Sequence, residues 1–250
     1  MDPYQQVAQW LRASKHVVAF TGAGISTESG IPDFRSPGGI WATSTPVYFD
    51  DFVASAESRL EYWRQKSVAH RDFADSQPNA GHRVLADWEK RGLLKGVVTQ
   101  NIDGLHQQAG SSQVIELHGT ARQIACLHCE QRYDAEEMVS QFLATQQVPG
   151  CPECGGLVKH ATISFGQSLV PRVLEHAITL AERSDLFMVM GSSLVVEPAA
   201  SLPRMARSRG ARVVIVNRDE TPHDDIADLL FHEGIGSTLE RISQYVQEEP

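Results

Sequence analysis

Hydrophobic residues along the chain fall into two patterns. Apolar positions at helical spacing predict a first helix over residues 4–11, and similar stripes recur toward the C-terminal end. Between them lie short, mainly apolar runs, typical of strands that are buried on both faces. These runs occupy residues 16–20, 96–99, 114–117, 161–165, 186–190, 212–216 and 229–231. Their alternation with helices predicts an α/β fold, in which helices cover both faces of a parallel sheet.

Several helix boundaries are predicted from capping residues. Asn79 is a suitable N-cap for a helix that Gly92 ends, and Asp134 and Glu137 have capping-box spacing with Asp in place of Ser or Thr. Residues 37–49 are rich in Pro, Gly, Ser and Thr, which predicts a loop. The other helical stripes lie at residues 52–63, 171–181, 198–209 and 239–246.

The predicted strands end in polar or glycine-rich segments. Parallel sheets bind ligands at the carboxyl ends of their strands, so these segments together predict one site. They are Gly22-Ala23-Gly24, Gln100-Asn101-Ile102-Asp103, His118-Gly119, Gly191-Ser192-Ser193 and Asn217.

The first of these segments has the pattern of a phosphate-binding turn between a strand and a helix. Gly22 and Gly24 match the first two glycines of the dinucleotide fingerprint, whose backbone amides approach a pyrophosphate. The third fingerprint position is Thr27, so the glycine pair alone is weak evidence. A dehydrogenase would have an acidic residue after its second strand to hold a ribose, but here that strand leads to Gln100-Asn101, and Asn217 is a candidate for the contact. The pattern favours a dinucleotide site without routine hydride transfer.

Charge and composition narrow the classes of function. The 250-residue chain has a formal net charge of -9, which argues against gripping nucleic acid by phosphate neutralisation. The acidic balance fits attraction to basic peptides, although such a balance more often serves solubility alone. The N-terminal residues lack the features of a signal peptide, and no apolar run has the length of a membrane span. We therefore expect a cytoplasmic protein with no nucleic-acid or membrane partner.

All four cysteines fall into two Cys-x-x-Cys pairs. Cys126 and Cys129 form the first pair, and Cys151 and Cys154 form the second, with residues 130–150 between them. This spacing is close to that of four-cysteine zinc ribbons, in which each pair supplies two thiolates to one tetrahedral ion. A redox dithiol or four unrelated thiols are the alternatives. Because four protein ligands leave no open position, the spacing predicts one structural Zn²⁺ and not a catalytic one.

His118 is the best single catalytic candidate, because it lies at a strand end and Gly119 permits close approach. A lone histidine is nevertheless more often structural. Gln100, Asn101 and Asp103 supply several hydrogen-bonding groups at another strand end, although Asn and Asp also cap helices. Three other residues also have purely structural alternatives: Ser26 as a helix cap, Arg35 as a surface ion-pair partner and Phe34 as a core residue.

The motifs occur together in one order along the chain. They are Gly22-Ala23-Gly24-Ile25-Ser26, Gly30-Ile31-Pro32-Asp33-Phe34-Arg35, Thr99-Gln100-Asn101-Ile102-Asp103, Leu117-His118-Gly119, the two cysteine pairs, Gly191-Ser192-Ser193 and Val216-Asn217. In this combination the chain resembles a bacterial sirtuin, a NAD-dependent protein-lysine deacylase, from about residue 20 to its C-terminus. Tyr62-Trp63, with residues 49–52 upstream, is more similar to the class II branch of that family.

The resemblance implies a division into two domains. A Rossmann-like NAD-binding domain would comprise residues 1–35, 92–120 and 160–250. A helical insert at 36–91 and a zinc module at 121–159 would form the smaller domain. NAD and the acylated lysine would enter the cleft between the domains from opposite ends, and the protein is expected to be a monomer.

The resemblance also implies roles for individual residues. His118 would be the general base, and Asn101 would orient the ribose with Gln100 close by. Asp103 and the backbone of Ile102 would hold the nicotinamide carboxamide. The wider set of cofactor contacts is Gly22, Ala23, Gly24, Ser26, Phe34, Arg35, Gly191, Ser192, Ser193, Asn217, Arg218 and Ile235. The expected substrate contacts are Phe165, Gly166, Val195 and Glu197.

The implied reaction consumes NAD as a co-substrate. It removes an acyl group, acetyl in the first place, from a protein lysine and yields nicotinamide, O-acyl-ADP-ribose and free lysine. The expected partners are therefore acylated-lysine proteins or peptides. Two alternatives stay open, a NAD-dependent protein mono-ADP-ribosyltransferase and a non-catalytic NAD-sensing module. Gln167 stands where many relatives have Glu, which leaves that contact of the substrate loop open.

Overall fold

The structure of the chain is a computed structural model that describes residues 2–33 and 45–247, and residues 71–74 by their backbone alone. Helices α1 to α9 span Pro3–Ala13, Phe49–Ala54, Ala56–Ala74, Ala80–Lys90, Leu105–Gln108, Ala135–Thr145, Pro171–Arg183, Leu202–Ser208 and Ile235–Gln247. Strands β1 to β9 span Val17–Thr21, Gly96–Thr99, Val114–Glu116, Gly119–Cys126, Arg132–Asp134, Val158–Thr162, Leu186–Met190, Arg212–Val216 and Leu229–Phe231. Short 3₁₀ helices occupy Ala23–Ser29, Ala199–Ser201 and Asp224–Ile226.

A six-stranded sheet contains the strands that the apolar runs predict, except the run at 161–165. Its order is β3-β2-β1-β7-β8-β9, and all neighbouring strands are parallel. Counted among these strands alone, the order is 3-2-1-4-5-6, which is the order of dinucleotide-binding sheets. Strand addition changes direction between β1 and β7, so a ligand crevice is expected at the carboxyl ends of these two strands. The predicted parallel sheet is confirmed.

Helices cover both faces of this sheet. Val17 and Ala19 of β1 pack with α1, α4 and α9, whereas Val18 and Phe20 pack with α7 and α8. Because both faces are covered, every residue of β1 is buried, and its first four residues are all apolar. Within the described ranges, no helix is both long enough and apolar enough to cross a bilayer.

A smaller antiparallel sheet, in the order β5-β4-β6, lies beside the parallel one. Helices α3 and α6 pack against each other, and side chains from both join the core of this sheet. The large buried side chains of this core include Phe52, Trp63, Ile124, Phe142 and Val158. The helical stripe predicted at residues 52–63 is therefore α2 followed by the first part of α3, and Phe52 and Trp63 from these helices are buried in this second core.

Strand β6 differs from the prediction for its part of the chain. The strand predicted at residues 161–165 lies at Val158–Thr162, and it pairs antiparallel with β4 outside the main sheet. The real strand contains Lys159 and His160, which are polar but each only 1% exposed. Because these buried polar residues interrupt the apolar pattern, the apolar run in the sequence begins after the start of the real strand. Strands β4 and β5 and helix α5 are absent from the predictions, because their sequences contain no unbroken apolar run.

Two predicted helices begin differently from the prediction. The helix expected after the glycine turn is the 3₁₀ helix Ala23–Ser29, and the helix expected from residue 198 begins as a 3₁₀ turn before α8. The predicted caps are present: Asn79 Oδ1 accepts from the amide of His82 at 3.4 Å, and Asp134 Oδ1 accepts from the amide of Glu136 at 2.8 Å. Asp134 thus caps α6 through a residue one position earlier than its capping-box spacing predicts.

Candidate active site

Two glycine turns meet at the carboxyl ends of β1 and β7. The amide of Gly24 donates to the carbonyl of Gly191 at 2.8 Å, and the amide of Gly22 donates to the carbonyl of Met190 at 3.0 Å. A Cβ on Gly22 would lie 2.7 Å from the carbonyl oxygen of Gly191, and one on Gly24 would lie 2.6 Å from its Cα. The two turns are therefore in close contact through their backbones. The 3₁₀ helix that follows begins at this edge, where backbone amides suit phosphate oxygens.

Replacing Gly191 by alanine is expected to lower the free energy of unfolding by about 2–4 kcal/mol. Gly191 has a φ of 65°, and its new Cβ would overlap the backbone nitrogen of Ile25. Gly210→Ala is the matched control, because Gly210 has a φ of 95° and an alanine Cβ there would meet nothing within 4 Å. The control should lose only about 1 kcal/mol in urea denaturation. Equal losses in the two variants would contradict the close approach of the turns.

Three side chains from two strand ends form one chain of hydrogen bonds. Asn101 Nδ2 donates to Ser26 Oγ at 3.0 Å, and Ser26 Oγ donates to Asp103 Oδ2 at 2.8 Å. The other carboxylate oxygen of Asp103 accepts from the amide of Leu105 at 2.9 Å, and Arg122 Nε donates to the Asp103 carbonyl at 2.8 Å. Because the three side chains are buried and satisfied, they hold their orientation without a ligand.

A second set of buried hydrogen bonds is linked to this chain through the backbone of Asn101, and it was not predicted from the sequence. Thr21 Oγ1 donates to Thr99 Oγ1 at 2.8 Å, and Thr99 Oγ1 accepts from the amide of Asn101 at 3.0 Å. His106 Nε2 lies 2.9 Å from Thr21 Oγ1. The available signal was a threonine at the last position of both β1 and β2, which are directly opposed in the sheet.

His118 follows β3 and lies beside the end of β2. Its Nδ1 is 2.9 Å from the carbonyl oxygen of Gln100. A carbonyl only accepts hydrogen bonds, so Nδ1 carries the proton of the neutral ring and Nε2 keeps the lone pair. The side chain of Gln100 donates to Ser192 Oγ at 2.8 Å, which links the ends of β2 and β7. The arrangement leaves Nε2 as the atom that can take up a proton.

The surroundings of His118 favour its neutral form. Burial lowers the pKa of His118 below its ordinary value, and the hydrogen bond to the Gln100 backbone opposes that shift only in part. A general base has to be unprotonated at the working pH. His118 therefore meets this requirement at neutral pH.

The remaining predicted cofactor residues lie around the same edge of the sheet. Asn217 follows β8, and its side-chain amide donates to the carbonyl of Asp219 at 2.7 Å. Arg218 pairs with the Asp219 carboxylate at 2.9 Å, and Ile235 is buried at the start of α9. Ala23 belongs to the 3₁₀ helix, Ile102 lies between Asn101 and Asp103, and Ser193 is half-buried after β7. Phe34 and Arg35 lie outside the described residues.

The predicted substrate residues lie on two loops, after β6 and after β7. Phe165 and Gly166 belong to the first loop, and Val195 and Glu197 belong to the second. Phe165 and Val195 are 41% and 50% exposed, which is unusual for large apolar side chains. The carbonyl of Phe165 accepts from the amide of Phe49 at 2.9 Å, so the first loop is tied to the start of α2.

The four cysteines converge at one end of the smaller sheet. The Sγ atoms of Cys126 and Cys154 lie 3.6 Å apart, as do those of Cys129 and Cys151, and all four lie within 4.8 Å of one another. A tetrahedron of sulfur ligands about 2.3 Å from a central zinc ion has edges of about 3.8 Å. The cysteine cluster therefore fits a single tetrahedral ion that takes all its ligands from the protein.

Comparison with known proteins gives a consistent result. The model of the Sir2 family matches residues 22–198. A Bradyrhizobium diazoefficiens protein named NAD-dependent protein deacetylase 1 is 47% identical over 237 residues, which cover 94% of this chain and 93% of that protein. A Rhodopseudomonas palustris NAD-dependent protein deacetylase is 45% identical over 237 residues and 94% of both chains.

Solved structures are similar over nearly the whole chain as well. "Sir2-p53 peptide-NAD+" has a TM-score of 0.88 and 39% identity, and the alignment covers 96% of each chain. "Structure of Sir2Tm bound to a propionylated peptide" has a TM-score of 0.87 and 38% identity, covering 97% of this chain and 98% of that one. The family match covers more than half of the sequence, and the relatives align along almost all of it. The chain therefore belongs to the Sir2 family, the sirtuins.

Proposed function

We propose that the protein is a NAD-dependent protein-lysine deacylase that acts on acetylated lysines in the first place. The observation that carries this proposal is the tautomer of His118, which the hydrogen bond from Nδ1 to the backbone of Gln100 fixes, directly before Asn101 of the Asn101–Ser26–Asp103 chain. Relatives aligned over almost the whole length are NAD-dependent protein deacetylases, which supports the same function. The products are nicotinamide, O-acyl-ADP-ribose and free lysine.

The proposed roles of the residues follow from their chemistry. NAD, as the consumed co-substrate, supplies an ADP-ribosyl group that accepts the acyl group when nicotinamide leaves, and one water molecule is consumed as the lysine amine is released. The backbone of Gly22 and Gly24 holds the phosphates at the end of β1. Asp103, kept in place by Ser26, accepts hydrogen bonds from the nicotinamide amide. His118 Nε2 removes the proton of a ribose hydroxyl, and its neutral form at pH 7 makes this transfer favourable.

The remaining contacts are proposed from their position at the same crevice. The side chains around the end of β8 belong to the adenosine half of the site, and the exposed loops after β6 and β7 bind the peptide as an added strand. We also propose that Phe34 and Arg35, which lie outside the described residues, contact the cofactor. Cys126, Cys129, Cys151 and Cys154 hold one structural Zn²⁺, which stabilises the smaller sheet and takes no part in the reaction.

Two domains are proposed on the boundaries that the sequence predicts. Residues 1–35, 92–120 and 160–250 form the Rossmann-like domain, and 36–91 with 121–159 form the smaller one. The packing of α3 against α6 supports a shared core for the two insertions. The cytoplasmic location, the monomeric state and the absence of nucleic-acid partners stay predictions.

Mass spectrometry of the products tests the function. The protein is incubated with NAD and either an acetyl-lysine peptide or the same peptide with unmodified lysine. We expect nicotinamide and deacetylated peptide in equal amounts, and only with the acetylated peptide. A mass increase of the peptide by ADP-ribose would instead identify a transferase, and NAD binding without any product would identify a sensing module.

A further inference from the structure

Lys159 is a buried lysine that the proposed reaction does not use. Its side chain is 1% exposed and lies along β6. The ammonium donates to the carbonyls of His160, at 3.2 Å, and of Thr162. A third contact, at 3.4 Å, reaches Oε1 of Gln167. The three donors of the ammonium thus have three acceptors, and the last of them lies outside the strand.

Gln167 closes the turn that carries the exposed substrate-loop residues. The side-chain Oε1 of Gln167 accepts from the backbone amide of Ser164 at 3.1 Å, and the backbone amide of Gln167 donates to the Ser164 carbonyl at 3.0 Å. Phe165 and Gly166 are the two central residues of this turn. Lys159 and the Ser164 amide therefore bind the same side-chain oxygen, which couples a buried charge to the presentation of Phe165.

The same segment is tied to the proposed base. The amide of Ile163 donates to the carbonyl of His118 at 2.8 Å, immediately before the turn. Ile163, which contacts His118, is thus followed directly in the chain by residues 164–167, which form the peptide loop. A shift in residues 164–167 would change the placement of a peptide relative to His118 without breaking the contacts of His118 itself.

We propose that Lys159 is a positioning residue for the acylated peptide, which holds the turn 164–167 through Gln167 in the conformation that receives the substrate. This inference rests on the proposed deacylase function. Lys159 touches neither substrate nor the reacting atoms in this role. It acts by fixing the backbone against which the peptide pairs.

The charges around Lys159 make this contact sensitive to pH. Burial, and then the neighbouring Lys66, lower the pKa of Lys159 to about 7. Tyr62 and His70 of α3 and His160 of β6 face the same cluster, and His70 pairs with Glu136 of α6 at 2.9 Å. Burial also keeps Tyr62 protonated, because it raises its pKa, and keeps His160 neutral, because it lowers its pKa to about 3. The pKa of Lys159 therefore lies near neutrality.

Loss of the proton leaves Lys159 with two donors for three acceptors. The contact with Gln167 is the longest of the three, so it weakens first as pH rises above about 7. The KM for an acetylated peptide should therefore rise between pH 7 and pH 9, whereas the KM for NAD should not follow it. Acidification below pH 7 should leave this contact intact.

Lys159→Met tests the role, because methionine keeps much of the length and removes the donors. We expect about a tenfold increase in the KM for an acetyl-lysine peptide, with kcat and the KM for NAD changed less than about twofold. In hydrogen–deuterium exchange, the amides of Ser164 and Gln167 should exchange about tenfold faster. Lys95→Met is the matched control, since Lys95 is exposed and its ammonium also donates to a carbonyl three residues away.

Gln167→Glu provides a second variant that keeps Lys159. A carboxylate at this position gives the buried ammonium a counter-ion and raises its pKa, so the peptide KM should become flat between pH 7 and pH 9. Equal exchange of the two turn amides in Lys159→Met and Lys95→Met would overturn the inference, as would parallel increases in both KM values. If the wild-type protein does not deacetylate the peptide, the proposed function and the role of Lys159 are both contradicted. If the wild type is active and Lys159→Met has the same kinetics and exchange rates, the role of Lys159 alone is contradicted.

Discussion

Replacing His118 by alanine is expected to lower kcat for deacetylation by about a hundredfold or more, the usual contribution of a general base. The expectation follows from the hydrogen bond to the Gln100 carbonyl, which puts the ring proton on Nδ1 and leaves Nε2 to accept a proton. Alanine removes that acceptor, and the hydrogen bonds of the Asn101–Ser26–Asp103 chain do not involve the imidazole. NAD binding should therefore persist in the variant while turnover is lost.

The measurement combines deacetylation rates with the thermal stability of each variant. His176→Ala is the matched control, since His176 is an exposed histidine of α7 away from the sheet edge. The control should retain wild-type kcat and KM, and both variants should unfold at similar temperatures. A His118→Ala enzyme with undiminished kcat would show that the base is another group.

The pH profile of the wild type provides a further check on the same residue. Because burial lowers the pKa of His118, its neutral form persists to lower pH than that of an ordinary histidine. In the pH profile of kcat/KM, the apparent pKa of the acid limb should therefore lie below the usual histidine range. This limb should be absent from the residual activity of His118→Ala. The Lys159 effect differs, because it acts on the alkaline side and on the peptide KM.

The second large effect is expected from the cysteine cluster. Cys151→Ser should reduce the zinc content to less than the one ion per chain expected for the wild type. It should also lower the Tm by about 10 °C or more, since structural zinc sites contribute directly to folding. Cys126 and Cys151 belong to the same buried cluster as Trp63 and Phe142, so loss of the ion exposes a core and not only a loop. Activity should fall as well, because Gly119, the residue after His118, pairs with Thr162 in the smaller sheet.

Elemental analysis and thermal unfolding of the purified protein measure both consequences. Tyr133→Phe is a useful control, because the hydroxyl of Tyr133 lies 3.0 Å from Cys151 Sγ but all four sulfurs remain. This variant should keep its zinc and lose far less stability than Cys151→Ser. A wild-type protein that contains no zinc would contradict the four-cysteine site.

The sequence predicts the parallel sheet well because burial on two faces leaves a signal in every strand. β7 is apolar throughout, and β1 and β8 each contain four consecutive apolar residues; all three lie within one residue of their predicted bounds. The smaller sheet leaves no such signal. Its strand β6 contains Lys159 and His160, whose burial depends on partners from α3 and from the loop that follows, and these contacts form only in the folded chain.

The site shows a similar division between what patterns predict and what packing decides. Polar residues at strand ends converge because parallel strands share one edge, and this geometry brings Ser26, Asn101 and Asp103 into contact. Arg122 and His106 also reach this network, but they come from β4 and α5, elements with no counterpart in the predictions. Their positions follow from tertiary packing, which no local spacing encodes.

The contact between the two glycine turns also bears on how this enzyme can change in evolution. At Gly22, Gly24 and Gly191 the fit is between backbones, and any added side chain collides. Random libraries directed at these positions should return almost only glycine. Libraries directed at the exposed side chains of Phe165 and Val195 should return many folded variants, so new peptide specificities are accessible by short mutational paths on an unchanged nucleotide edge.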